Sequence, residues 1–549
     1  PVNGHAEGYN DWSLIFPAAV ENIDVIKGPT SALFGNFALS GIVNVHTSER
    51  MQGTQASVNA GTAGHVDATV LTGFDHGASG GGVFGARWQH DDGWRPNSQS
   101  DVEQGHFRVV HDLSPAWRID GGVELYGAQW SSPGFLSEDE FANREYDIVS
   151  NRTDGGDKYR AQERVSLRLL SGSVLWRSTL YSTQGNWDFF LTIPPAGGRF
   201  EGTGSQTQEV DHRTGPGATS TLTWSLPDGG EITVGTEGRW DRTHYQNWFT
   251  TDRARDSSAA LVHARQSSGA LFVESGFDAT SLLHFSLGAR YDLVGTRSTP
   301  DGDASSSDTH GIVSPKLGAL LHLTRGLGLY GNISRGFRST DGVIDDPTLP
   351  FITAWAYETG IKLDHAKAHA SVAFFRMDVS NEQTFDPLTG ASSNGGASRR
   401  QGIEIEAQAP IAPMLSLSTD WTFNDARYRR AILQSEDDPT EVDTLSGMRV
   451  YTTAQSIGVA ALDFALPKAS WRIRVRSNVV GPYSPFDEPG VVLPAYGLVH
   501  VGASMQIGVA RVEVGVRNVL DKAYPELVAG HIVSPGQPRS VYGTLRYAF

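Results

Sequence analysis

The dominant signal along the chain is alternation. Near the C-terminus Val541, Gly543, Leu545, Tyr547 and Phe549 alternate with Tyr542, Thr544, Arg546 and Ala548. The same period recurs at Phe84, Ala86 and Trp88, at Ile403, Ile405 and Ala407, and at Val512, Val514 and Val516. Arg87, Glu404, Glu406 and Glu513 are among the residues between them. Successive side chains of a strand point to opposite faces, so each segment reads as β-structure with one apolar and one polar face. Sustained i, i+3, i+4, i+7 spacing is scarce, and Gly and Thr are scattered through most apolar stretches. The pattern predicts an all-β molecule.

A soluble sandwich hides its apolar face. A membrane barrel turns the same face to lipid and the polar face to its lumen. Periodicity alone does not separate the two, but connection lengths bear on the choice. From residue 51 onward short links (Leu113–Ala116, Pro227–Gly229, Arg325–Gly326, Pro467–Ser470) alternate with long ones (Ser131–Arg160, Asn186–Thr207, Ser380–Ala397, Arg429–Val450). That is the rhythm of a transmembrane antiparallel β-barrel with short periplasmic turns and long extracellular loops. The runs between links predict about 22 strands, an even number within the bacterial range. Aromatic residues near strand ends (Trp88, Trp130, Trp240, Tyr330, Trp421 and Tyr547) are expected to form interfacial girdles. Residues 1–50 differ. Val20–Ile26 reads as a strand, Lys27-Gly28-Pro29 as a turn, Ser31–Phe34 as one helical turn ended by Gly35, and Gly41–His46 as a second strand. This small α/β piece is too short to bury its own core and must pack inside or against the rest.

Composition narrows the picture. The 549 residues are 39% hydrophobic with 62 Gly, which excludes wholesale disorder. No run approaches the ~18 apolar residues of a membrane helix. The net charge of −17 argues against a nucleic-acid partner. Only 7 of the 44 basic residues are Lys. Without Cys there are no disulfides or thiolate metal sites. The first residue is Pro1, so the chain is expected to be a mature product or a fragment.

Catalytic signatures are missing: no GxSxG, no P-loop, no GxGxxG between strand and helix, and no HExxH among 17 His. The expectation is a protein that is not an enzyme and holds no resident metal or cofactor. The acidic runs Glu138-Asp139-Glu140 and Glu436-Asp437-Asp438 lack EF-hand spacing and read as solvated charge rather than calcium ligands.

The segment Asn22-Ile23-Asp24-Val25-Ile26-Lys27-Gly28-Pro29-Thr30-Ser31-Ala32-Leu33-Phe34-Gly35, continuing to Ala38, Gly41, Asn44 and Thr47, resembles the closing half of the plug domain of TonB-dependent outer-membrane receptors. Further matches follow in family order. They are Ser334-Arg335-Gly336-Phe337-Arg338, Tyr357-Glu358-Thr359-Gly360-Ile361-Lys362, Arg400-Gln401-Gly402-Ile403-Glu404-Ile405-Glu406, Arg517-Asn518-Val519-Leu520-Asp521-Lys522 and the terminal Tyr547-Ala548-Phe549. The departures are mild, such as Asn22 and Asp24 in place of Arg and Glu, and Phe34 in place of Tyr. The resemblance implies a 22-stranded barrel at 51–549, closed by a plug whose C-terminal part is 1–50. It also implies that the signal peptide, the coupling box and the first part of the plug lie upstream of Pro1. It implies a receptor in the outer membrane of a Gram-negative bacterium, with the TonB energy-transducing complex, membrane lipid and a small chelate as partners. Its cargo would be a scarce solute, a ferric siderophore in the leading reading and cobalamin or a sugar otherwise. A passive porin-like channel and a soluble secreted binding protein remain as other classes.

In such a receptor the stretch from Asn3 to Trp12 is an apical plug loop. His5, Glu7, Tyr9, Asn10 and Trp12 are its candidate ligand contacts. Rings beside a guanidinium suit an anionic or catecholate chelate. That points to Trp187, Phe190 and Arg199 in the Asn186–Gly202 loop, and to Tyr245 and Trp248 in the next loop region. The resemblance also implies a plug–barrel contact in which Glu358 and Glu404 face basic plug residues. Lys27 holds one of those basic positions, and a second base would lie upstream of Pro1.

Overall fold

The computed structural model describes residues 12–549 except 78, 194–204, 228, 341, 344–345, 387–390, 431, 435–441, 467–469, 486–489 and 531. Alternating segments pair with their neighbours in antiparallel register until the sheet closes on itself as a barrel of 22 strands. Closure joins the last strand, Ser540–Ala548, to the first, Thr54–Gly61, with Tyr542 opposite Gly61 and Ala548 opposite Gln55. The barrel therefore exposes no strand edge along this seam, as lipid requires of a spanning sheet.

The outer face carries the apolar half of each alternation. Leu180, Leu271, Val313, Phe374, Val514 and Leu545 are all exposed on it. The tight links 113–116, 172–173, 325–326 and 366–367 fall at one rim, and two more, 62–65 and 252–253, fall at the other. That second rim also carries the long excursions, such as 132–154, 431–455 and 518–539. A membrane crossing takes about 9–11 strand residues. The Glu231–Thr251 and Ala254–Thr280 strands have 21 and 27 residues, so they stand well beyond the hydrocarbon layer.

That extension corrects the predicted loops. Strand Val174–Ile193 runs through the first eight residues of what the sequence suggested was a loop from Asn186, and Tyr245 and Trp248 sit within Glu231–Thr251. It corrects two girdle residues as well. Trp88, Trp240, Trp421 and Tyr547 share the parity of outward apolar neighbours. Trp130 shares the parity of Arg118, Asp120 and Glu124 on the lumen wall, and Tyr330 packs beneath the Lys362 ammonium inside.

The N-terminal piece lies within the barrel. Two 3-10 turns, Trp12–Leu14 and Pro17–Ala19, lead into the antiparallel pair Val20–Lys27 and Gly41–Thr47. Residues 31–34 form a turn rather than the expected helical turn. Phe16 and Ala19 are buried against Leu71 and Val83 of the wall, with Phe16 stacked on His106 at 5.6 Å.

At the long-loop rim two excursions meet. Leu136–Ser137 adds to Ile532–Pro535, which pairs with Pro525–Ala529 in a three-stranded sheet. The acidic run Glu138-Asp139-Glu140 is the first turn of a short helix, Glu138–Ala142. The Ser137 side chain accepts from the Glu140 N–H, and the Glu140 carboxylate accepts from the Ser137 N–H, a reciprocal cap that gives Glu140 a structural role. The second acidic run, 436–438, lies outside the described residues.

Candidate functional site: plug and mouth

The chain turns sharply after Lys27, where Gly28 takes a φ of +71° that only glycine adopts at little cost. The following segment climbs the wall by donating and accepting main-chain hydrogen bonds. Glu274 accepts from the Ser31 hydroxyl at 2.9 Å and the Ala32 N–H at 2.6 Å. Arg290 donates to the Leu33 carbonyl at 3.3 Å, and Lys316 donates to the Pro29 carbonyl. At the top, Asn36 exchanges two hydrogen bonds with Ser339. Gly336 lets the wall touch Pro29: a Cβ there would come within 2.7 Å of the Pro29 side chain.

Lys27 reaches the wall four strands further round from Lys316. Its ammonium meets the Glu404 carboxylate at 2.8 Å, with about half the lysine side chain still exposed. Burial acts to lower the lysine pKa. The Glu404 hydrogen bond and the charges of Glu404, Glu406 and Asp420 outweigh it and hold the value above the ordinary 10.5. Glu358 shares the lumen face but lies against the Tyr330 hydroxyl. Among the described residues no basic plug side chain pairs with it.

The lumen wall carries two kinds of charged region, one acidic and one in which arginines and carboxylates are mixed. Glu358, Glu404, Glu406 and Asp420 face the lumen on one side. Arg108, Arg164, Arg177, Arg213, Arg239 and Arg290 line the other, around a cavity of about 1470 Å³ that the plug pair also borders. Several of these arginines are braced by carboxylates: Arg108 by Asp120 and Glu49, Arg239 by Asp241, Arg290 by Asp292 and Glu237. Glu49, just past the plug strands, also takes Arg118 at 2.9 Å, so its carboxylate ties the end of the plug to two wall arginines.

Toward the long-loop rim the lumen wall becomes aromatic. Trp187 packs edge-on against Trp130 and Phe189, at 6.4 and 5.9 Å, and the Lys158 ammonium stands 4.8 Å over its ring. Tyr245 faces the same side and is buried. Phe190 and Trp248 do not join them. Phe190 has the parity of outward Leu180, and Trp248 that of outward Trp240. Their rings are covered by Arg253 and Arg255 on the outside of the wall. The structure thus corrects the expectation that these two line the mouth, because an unbroken strand fixes which way each residue turns. Trp12 is exposed and borders the lumen cavity. His5, Glu7, Tyr9, Asn10 and Arg199 lie outside the described residues. Lys158, Glu274, Arg290, Lys316 and Ser339 were not singled out from sequence. Their signal is only a polar residue at an inward parity, which dozens of positions share.

A family model for the TonB-dependent receptor-like β-barrel matches residues 87–519, and one for the TonB-dependent receptor plug domain matches residues 1–42. The metal-pseudopaline receptor CntO of Pseudomonas aeruginosa is 25% identical over 256 residues, which span 44% of this chain and only 34% of that protein. The ferrioxamine receptor of Yersinia enterocolitica is 24% identical over 97% of this chain and 80% of its own length. Among solved structures, the siderophore receptor PiuA from Acinetobacter baumannii superposes with a TM-score of 0.83 at 13% identity, covering 97% of this chain and 86% of that one. The ferric citrate transporter FecA superposes with a TM-score of 0.81 at 17% identity, covering 96% and 83%. These structural likenesses establish a shared fold.

Proposed function

Because the chain belongs to the TonB-dependent receptor family, we propose that it is an outer-membrane receptor for a scarce metal chelate, a ferric siderophore in the first instance. In this reading it imports the chelate with energy delivered through TonB. The observation that carries the reading is the latched plug. A barrel this wide leaks unless closed, and here the closing segment is held by breakable polar contacts along one arc of the wall, from Glu274, Arg290 and Lys316 to the Lys27–Glu404 pair four strands beyond Lys316. Such contacts can yield to a pull and re-form, with no covalent chemistry. The mouth suits the cargo class: Trp130, Trp187 and Phe189 offer ring faces, and Lys158 offers a cation to an anionic chelate. Iron enters this account as cargo. In this reading the TonB complex acts on the plug. The similarity to a ferrioxamine receptor and a metal-pseudopaline receptor leans the same way.

The test is uptake by the full-length protein in a Gram-negative host lacking its own receptors, using ⁵⁵Fe on a panel of hydroxamate, catecholate and carboxylate siderophores, with labelled cobalamin and a maltodextrin alongside. Saturable uptake of one ferric chelate, abolished by a protonophore, is expected. Uptake that is unsaturable and indifferent to the protonophore would replace this reading with a passive channel. Saturable cobalamin uptake would move the cargo class.

A further inference from the structure

The outer wall carries a cationic row that the transport reading does not use. On three consecutive strands, Glu231–Thr251, Ala254–Thr280 and Leu283–Pro300, Arg242 stands opposite Arg265, and Arg265 opposite Arg297. All three side chains are exposed and share the outward parity of Trp240, Leu271 and Leu293. One outward step nearer the long-loop rim is a second row, in which His212 faces His244 and His244 faces His263, the latter pair stacked at 4.2 Å. One step the other way stands Trp240, with the Arg242 guanidinium 5.1 Å from its ring. Beyond it lies the lipid-facing band of Leu293, Leu271 and Tyr291.

Like charges placed directly opposite on neighbouring strands repel. Elsewhere on this outer wall the chain relieves such crowding: Arg376 and Arg399 share Asp378 at 2.6 Å, and Arg427 meets Asp425 at 2.9 Å. No Asp or Glu occupies the outward face within the arginine, histidine and tryptophan rows. Among the described residues no carboxylate pairs with Arg242, Arg265 or Arg297. The carboxylates that act on His244 are Asp301, just past the end of strand Leu283–Pro300, and Asp211, on the lumen face, so the arginine row itself has none beside it in a chain of net charge −17. The row's height is informative too. The long-loop rim of such a barrel faces outward from the cell, so the guanidiniums sit just above the aromatic belt, at the level of the outer-leaflet headgroups.

We propose that Arg242, Arg265 and Arg297 form a docking site for the phosphate groups of a phosphorylated outer-leaflet lipid. The lipid's acyl chains would lie on the Leu271–Leu293 face, and the imidazoles of His212, His244 and His263 would offer further hydrogen bonds to its polar head. Guanidiniums match phosphate oxygens in paired geometry, and strand spacing of ~4.8 Å puts the three within reach of one headgroup.

The test uses the full-length protein purified in detergent, with bisphosphorylated lipid A as the probe and fully dephosphorylated lipid A and inorganic phosphate as separate arms, read by native mass spectrometry and by titration. Each basic residue near an anionic surface contributes about 1 kcal/mol, so R242Q/R265Q/R297Q is expected to weaken lipid A binding roughly a hundredfold. Heat-modifiable mobility reports that the variant barrel has folded. The charge-preserving R242K/R265K/R297K should recover most of the binding, and Arg474→Gln, which removes an arginine already paired with Asp463, should leave it unchanged. Equal binding of the dephosphorylated lipid, unchanged affinity in the folded triple Gln variant, or full displacement of lipid A by inorganic phosphate would each overturn the proposal.

Discussion

At the scale of single residues the informative contacts are the ones that hold the plug. Lys27 is a point charge rather than a guanidinium fork, and half of its side chain remains wet. Lys27→Glu places a like charge against Glu404, Glu406 and Asp420. It should loosen the plug and raise entry of small antibiotics in the full-length protein, with partial reversal by Glu404→Lys. Unchanged permeability, or no reversal, would remove this pair from the latch. Its pH dependence has a defined sign. A lysine whose pKa is raised on folding contributes fully below its unfolded value and loses that contribution as pH rises through the folded one. The latch should therefore hold at all pH values up to about 10.5 as far as this lysine is concerned, and fail only above it. Leakage measured across an alkaline series checks this. Gly336→Leu tests a packing contact of the same segment. Its side chain would strike Pro29 and the Ala38 carbonyl, at 2.7 and 3.1 Å for the first carbon alone, costing about 1–3 kcal/mol of plug docking. Faster proteolysis within residues 28–40 is the expected result.

At the scale of strands and turns, much was legible in the sequence, and the reason is the strict period of two. The count of 22, the tight links at 113–116 and 325–326, and the joining of the last strand to residues near Gln55–Thr62 all follow from alternation and link length. Deleting Tyr547–Phe549 removes pairing with Ala56 and Gln55 and the outward rings of Tyr547 and Phe549. The yield of folded, heat-modifiable barrel in the outer membrane should fall severely. A normal yield would contradict the role given to this strand end. What alternation could not supply is where a strand stops. Asn186–Thr207 is polar and aromatic by turns, and that reads equally as loop or as strand standing clear of lipid. Once the strand is seen to continue to Ile193, parity sends Trp187 inward and Phe190 outward. The same uncertainty hid the inward turn of Trp130 and Tyr330. Contacts across the lumen, such as Glu274 with Ala32, were out of reach because they depend on which wall the plug leans on.

For the molecule as a whole, the long-loop rim is held together by buried polar anchors. Asp154 accepts from the Thr192 N–H and hydroxyl and from the Gln206 amide, all at 2.8 Å, and so joins the end of the 132–154 excursion to the tip of the next hairpin. Asp154→Ala strands those donors, at about 1–3 kcal/mol for each one left buried without a partner. It should open the rim to proteolysis around residues 150–155 while leaving the heat stability of the membrane band unchanged. A fall in both would mean that rim and band unfold together. Arg95 does similar work one hairpin away, donating to the carbonyls of Gly134, Tyr146 and Ile148. The small sheet of Leu136–Ser137, Ile532–Pro535 and Pro525–Ala529 has a different reach. Its partners, Leu136 and Val533, are about 400 residues apart, so their pairing must wait until the chain's two ends have met. It straddles the join between the first and last strands like a clasp fastened after a necklace is closed. A half-inserted barrel cannot fasten it, and a finished one, once fastened, resists re-opening at the one place where no covalent link runs between neighbouring strands.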